Sequence, residues 1–244
     1  MRRTSIALLD TPLQVRCGDV TVQDRKLIEV TDIAEYLGRK YGGWMFVGEK
    51  YGKRHNSNNW IGLPFGGTAG PLVWRKSAVN EVGYQTPPSD LPGFLEMCRR
   101  LRRAGKPAGF ALGNAVGDGN GFANWLMWSH GAGITDPAGQ VSVNSPQTLA
   151  ALNYLRELYP TFVPGTLAWG DISNNRAYSA GECFLTQNGV SLYFSLKNDP
   201  ALAPLAEDTQ MTPMPKGLAD AAPNAGLTLN AMVFRHSRFP NAAK

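Results

Sequence analysis

Charged residues make up only 18% of this 244-residue sequence, below the roughly 25% of an average soluble domain. That composition suits a protein with a cleft better than a helical bundle. Cysteine is scarce: Cys17, Cys98 and Cys183 are far apart and odd in number, so they provide neither a disulfide framework nor a metal knuckle. At most one pair forms, and Cys98 and Cys183, set in apolar runs, are expected as small core residues. Histidine is as sparse, with His55, His130 and His236 widely separated and no H-E-x-x-H pairing, so no metal or other cofactor is expected. No stretch approaches the ~20 apolar residues that cross a bilayer. The opening Met1-Arg2-Arg3 followed by Ile6 to Leu9 has the start of an export signal, but Asp10 and Pro12 end the apolar run and no Ala-x-Ala site follows; no export signal is expected in the chain.

What is present is enough for a core. Hydrophobic residues reach 43% and aromatics 10%, sufficient for one large domain or two small ones. The net charge of +5 raises nucleic-acid binding as a possibility, which the distribution of basic residues then decides. The densest group, Arg99, Arg100, Arg102 and Arg103, falls on the side of a helix away from Phe94, Leu95, Cys98 and Leu101. It is expected as a solvated helix face, with no nucleic acid as partner.

Periodicity predicts alternating helices and strands. Val30 to Lys40 is expected as a helix with Ile33, Tyr36 and Leu37 inward, ended by Gly42-Gly43; Gly48 to Asn59 is expected as a loop. Trp60 to Pro64 and Leu72 to Trp74 are expected as strands joined by the flexible run Gly66 to Gly70. Pro87-Pro88-Ser89-Asp90 starts a helix over Leu91 to Arg103 that Gly105 closes, and Gly109 to Leu112 reads as a buried strand. A helix follows from Asn120 to His130. Ser145-Pro146 starts another running to Tyr159, with Leu149, Leu152, Leu155 and Leu158 inward. Asp171 is expected to cap a helix through Ala180, ended by Gly181, before a strand from Cys183 to Thr186. Met211 to Met214 and Ala231 to Phe234 are late strands, and a helix begins at Asn241.

The sequence has no G-x-S-x-G elbow, no Walker loop and no dinucleotide fingerprint, since Gly66 to Gly70 lies between strands. Asp118 and Asp171 are candidates for a glycosidase carboxylate pair, and no spacing brings them together. Sugar sites join aromatic rings, which stack on C–H faces, to amides and carboxylates, which meet hydroxyls. Two segments carry that mixture: Gly117-Asp118-Gly119-Asn120-Gly121-Phe122-Ala123-Asn124-Trp125, and Trp169-Gly170-Asp171-Ile172-Ser173-Asn174-Asn175. Trp128 and Tyr178 read as core, and Asp171 is as well explained as a helix cap as by ligand contact.

From Trp60 onward the order of several segments resembles the family 1 extracellular solute-binding proteins, the group that includes the maltose-binding protein. They are Gly62-Leu63-Pro64-Phe65 with Trp74-Arg75-Lys76, Pro87 to Leu91, Phe122 to Trp125, Gly139 to Ser145, Ala177 to Glu182, Asn188-Gly189 and Met214-Pro215-Lys216-Gly217. The resemblance implies an α/β fold of the periplasmic binding protein-like class II type, with two lobes, crossing strands between them and hinge closure on a solute. The lobes would be residues 1–70 as part of the first, 71–208 as a nearly complete second, and 209–244 as the return into the first.

The function implied is noncatalytic: capture of a sugar or related polar solute for the permease subunits of an ABC importer, by a monomer in the periplasm or at the outer face of the membrane. By position, Thr68 faces the cleft at the first crossing, and Phe122 and Trp125, with Asn120 and Asn124, line the second lobe. Ser191 stands where some relatives stack a Trp, Gly226 belongs to the return segment, and Trp169 and Asp171 match a Trp-x-Asp of some sugar binders. The family's opening βαβ unit and its later helices have no counterpart here, so the chain is expected to be truncated at both ends. A carbohydrate-active enzyme and a nonfunctional fragment are the alternatives at this point.

Overall fold

The computed structural model describes residues 6–11, 26–54, 57–113, 117–136, 138–217 and 226–244; Cys17, His55 and the first residues of the opening segment lie outside them. In chain order the elements begin with β1 (Ile6–Thr11), α1 (Thr31–Tyr41), α2 (Phe46–Gly52), β2 (Leu63–Ala69), β3 (Leu72–Arg75) and α3 (Lys76–Glu81). Next come α4 (Leu91–Arg103), α5 (Asp118–Ser129), α6 (Pro146–Leu158), α7 (Ser173–Ala180), β4 (Leu185–Gln187) and α8 (Ser191–Asn198). The last are α9 (Ala203–Asp208), β5 (Thr209–Thr212), β6 (Gly226–Val233) and α10 (Pro240–Ala243). The chain divides into two compact units, Met1–Thr68 with Gly226–Lys244, and Ala69–Ala225.

In the first unit the sheet has the order β1-β6-β2, and β1 runs antiparallel to β6 from Ile6 opposite Val233 to Thr11 opposite Thr228. Leu27, Ile61 and Met232 form one small core and Val30, Ala34 and Trp60 another, with Trp44 against Trp60 at 5.2 Å between ring centroids. Three expectations are corrected here. The inward residue of α1 is Ala34, whereas Tyr36 is 55% exposed, because the helix packs through this small residue on Val30 and Trp60. The stretch from Gly48 to Asn59 is not all loop: α2 takes its beginning, where Glu49 and Lys53 pair at 2.9 Å one turn apart. Gly66 and Gly67 lie inside β2 rather than forming a flexible joint, since the strand's place in the sheet orders their backbone.

The second unit is built on a sheet of order β4-β3-β5, with β3 antiparallel to both neighbours. Ala108 extends it by parallel bridges to Leu185 and to Phe162. The expected strand from Gly109 to Leu112 is thus not formed and the single bridging residue precedes it, although Phe110 and Ala111 are buried as a core strand would be. β5, in the stretch expected to cross back, is paired within this sheet.

The helices of this unit follow their sequence signals closely. Asp90 accepts from Gly93 N at 2.8 Å and starts α4, which buries Phe94, Leu95, Cys98 and Leu101. On its outer side Arg100 and Arg103 meet Glu96 at 3.1 and 3.3 Å, and Arg99 meets Glu157 at 2.8 Å, the solvated face the arginine run suggests. Ser145 Oγ accepts from Thr148 N and starts α6. The inward stripe of α6 is corrected: Ala151, Tyr154, Leu155 and Leu158 face the core, while Leu149 and Leu152 point outward, 61% and 55% exposed. Tyr154 fixes that rotation by donating its hydroxyl to Leu91 O at 2.9 Å. A second core of Val73, Tyr178, Cys183, Leu192 and Leu196 lies among β3, α7 and α8. Beside it the Arg75 guanidinium sits over the rings of Tyr178 and Phe184 at 5.2 and 4.7 Å.

Candidate functional site

The polar residues of the second unit converge on the amino end of α5. A helix begins with N–H groups that have no intrahelical partner, and Gly117, at the cap of α5, has no side chain to supply one. The Asp171 carboxylate does so from far along the chain. It accepts from Gly117 N at 3.1 and 3.3 Å and from Asp118 N at 2.9 Å. The expectation that Asp171 caps its own helix is therefore corrected: α7 starts at Ser173 behind Ile172, without a side-chain cap. Asp171 itself is exposed. Trp169, two residues before it, is half-buried and packs beside the second core. Its carbonyl accepts from Gly113 N at 3.1 Å, an approach so close that a Cβ at Gly113 would lie 2.4 Å from that oxygen.

Below this cap lies a layer of buried amides. Asn174 is fully buried, and its Nδ2 donates to Asp118 Oδ2 at 2.8 Å and to Gln187 O at 3.0 Å, with Thr186 Oγ1 more distant at 3.4 Å. Asn188 Nδ2 reaches the same Asp118 oxygen at 3.3 Å and also donates to Asn175 Oδ1. Gln187 Nε2 donates to Gly70 O at 3.1 Å. Thus the carboxylate of Asp118 is held by two neutral amides from α7 and the end of β4. Such charge-assisted contacts are among the stronger hydrogen bonds.

Asp118 and Asp171, which no spacing joins, are brought to the same helix end. The arrangement is not a glycosidase pair: Asp171 is exposed and capping, Asp118 is tied to amides, and neither occupies the apolar pocket in which a general acid is kept protonated. Among the described residues, no group of three His, Cys, Asp or Glu side chains is placed to hold a metal ion.

The remaining site residues separate into four groups. Asn120 and Asn124 are half-buried along α5 near its amino end. Phe122 and Trp125 are corrected as solute contacts: they are 1% and 0% exposed. Phe122 stacks with Phe110 at 4.8 Å and with Trp125 at 5.3 Å, while Trp125 Nε1 donates to Pro215 O at 2.9 Å. Enclosed rings have no face to offer. Ser191 is exposed at the first position of α8. Thr68 in β2 and Gly226 in β6 belong to the first unit. Asn174, Gln187 and Asn188 join the site without a local signal of that role in the sequence, although Asn174-Asn175 and Asn188-Gly189 stand within the sugar-type and family-like segments.

The start of α5 and the end of β4 thus present amides and carboxylates together. The chain belongs to the bacterial extracellular solute-binding protein family, whose model matches residues 20–244. A probable ABC transporter-binding protein of Deinococcus radiodurans is 22% identical over 165 residues, covering 64% of this chain and 39% of that protein. The putative ABC transporter periplasmic-binding protein YcjN of Escherichia coli is 25% identical over 117 residues, 47% of this chain and 27% of that one. Among solved structures, the maltose-bound MalE3 of T. maritima matches with a TM-score of 0.77 at 20% identity, over 90% of this chain and 56% of its own. A solute-binding protein of Agrobacterium radiobacter in complex with ribitol matches at 0.79 and 16% identity, over 98% and 60%. The fold is the α/β fold of the class II periplasmic binding proteins. The chain spans well under two thirds of the length of these relatives.

Proposed function

We propose that this chain is the solute-capturing component of an ABC importer, holding a sugar or related polar solute without catalysis. The observation that carries the reading is family membership across residues 20–244. The amide and carboxylate wall at the start of α5 supports it, because hydroxyl-rich solutes are recognised by such groups beside an aromatic ring. The candidate contacts in the second unit are Asn120, Asn124, Trp169, Asp171 and Ser191; Thr68 and Gly226, of the first unit, are proposed contacts by their place in the sequence. Residues 1–70 and 71–208 are proposed as parts of the first and second lobe, with the return to the first following β5, which pairs in the sheet of the second unit. The solved neighbours' maltose and ribitol make sugars and polyols the first solutes to try. The partners are membrane permease subunits, and the protein works as a monomer in the periplasm or at the outer face of the membrane.

Isothermal calorimetry and thermal-shift measurements against mono- and oligosaccharides and polyols test the reading. A saturable response to at least one is expected, and Trp169→Ala should weaken it about tenfold, the scale of one lost aromatic contact. No response to any polar solute overturns the proposal.

A further inference from the structure

The amino end of a helix of α5's length is ordinarily a place for anions, since its free N–H groups and the helix dipole both favour negative charge. In this protein that place is filled from within. The N–H groups of Gly117 and Asp118 are both directed at Asp171. A Cβ at Gly117 would lie 3.2 Å from Asp171 Oδ1, so the bare backbone at this position is what lets the carboxylate come so close. A second carboxylate, Asp118, stands in the first turn of the same helix, and its oxygen is steadied by the neutral amides of Asn174 and Asn188. Among the described residues no Lys or Arg nitrogen pairs with Asp171. A phosphate or carboxylate arriving at this wall would find the N–H donors of Gly117 and Asp118 taken and two carboxylates in place.

We propose that Asp171 is a specificity-determining residue. It occupies the anion position at the amino end of α5, so that the wall takes uncharged, hydroxyl-rich solutes and turns away phosphorylated or carboxylated ones. Asp171 is exposed and keeps acceptor capacity beyond the two backbone amides it serves, since a carboxylate offers about four lone-pair sites; a sugar or polyol hydroxyl can donate to it. The inference rests on the solute-binding reading above for its solutes, but its electrostatic core concerns the helix end alone.

Two measurements on the full chain test it. In the first, sodium sulfate is titrated at constant ionic strength while the backbone amide signals of Gly117 and Asp118 are followed by NMR. The wild-type signals should show no saturable shift, and those of Asp171→Ala and Asp171→Asn should show one. In the second, calorimetry compares ribitol with ribitol 5-phosphate and mannitol with mannitol 1-phosphate. The wild type should prefer the neutral member at least tenfold, and Asp171→Asn should narrow that ratio at least tenfold. Saturable sulfate shifts in the wild type, equal binding of a phosphorylated and a neutral partner, or no gain of sulfate binding in a variant with native near-ultraviolet circular dichroism each overturns the proposal. If no neutral solute of any kind binds, the solute-binding reading fails while the sulfate titration still decides this one. If both variants fail to fold, the wild-type sulfate and paired-solute measurements decide it.

Discussion

Asn174 carries more of the site's order than any other single side chain. Buried and donating at once to Asp118 and to the backbone of Gln187, it joins α5, α7 and β4 through one amide. Its removal leaves a part-buried carboxylate oxygen and the buried carbonyl of Gln187 each short of a donor, and Asn174→Ala should lower stability by about 2 kcal/mol in urea unfolding. Asn175→Ala, which disturbs only a half-buried acceptor, should cost visibly less. The thiols give a second residue-scale test. Burial pushes the Cys183 thiol up to about 12 from an ordinary 9.0 and raises Cys98 as well. A raised thiol is protonated in the folded state while the unfolded chain ionises, so stability present below about pH 9 should decline as pH rises above it. Cys183→Ala should flatten that decline. In the native Cys17→Ser variant, Ellman's reagent at pH 8 should label Cys98 and Cys183 only at the rate of unfolding.

At the scale of elements, caps were the most legible signal. Asp90 and Ser145 cap where their sequence context indicates, because each bonds an N–H three residues on and the information is local. Ser145→Ala should cost about 1 kcal/mol. Helix rotation was less legible. In α6 four leucines recur at a period that either side of the helix can claim, and the choice was made by Tyr154 reaching Leu91 on another element. Leu158→Ala should therefore cost about 3 kcal/mol, and Leu149→Gln should stay within about 0.5 kcal/mol, both read from denaturant midpoints. In α5 the rotation was recoverable: Phe122, Trp125, Leu126 and Ser129 fall at i, i+3, i+4 and i+7, the stripe of a buried face. Attending to sugar-stacking aromatics alone put Phe122 and Trp125 on the wrong side. Asp171 was misassigned for the opposite reason, since its partners lie over 50 residues away and no local spacing encodes them.

For the whole molecule, the α/β class was visible in the alternation of punctuated helices and strands, and the family in the order of its segments. What the sequence could not display was the amide layer, because Asn174, Gln187 and Asn188 become a group only when β4 comes to lie beside β3 and α7. The two units have separate cores, Leu27, Ile61 and Met232 in one, Phe94, Leu101 and Phe110 in the other. Met232→Ala and Leu101→Ala should accordingly move different parts of the calorimetric unfolding profile. The distant cap of α5 also sets a clock. On the ribosome, the first turn of α5 is made long before the carboxylate that completes it, by 53 residues. At ordinary rates of synthesis that is an interval of about 3 to 10 s. Throughout it the N–H groups of Gly117 and Asp118 wait for their acceptor, and the core beneath them waits longer still, since Leu185 and Met214 are made after Asp171.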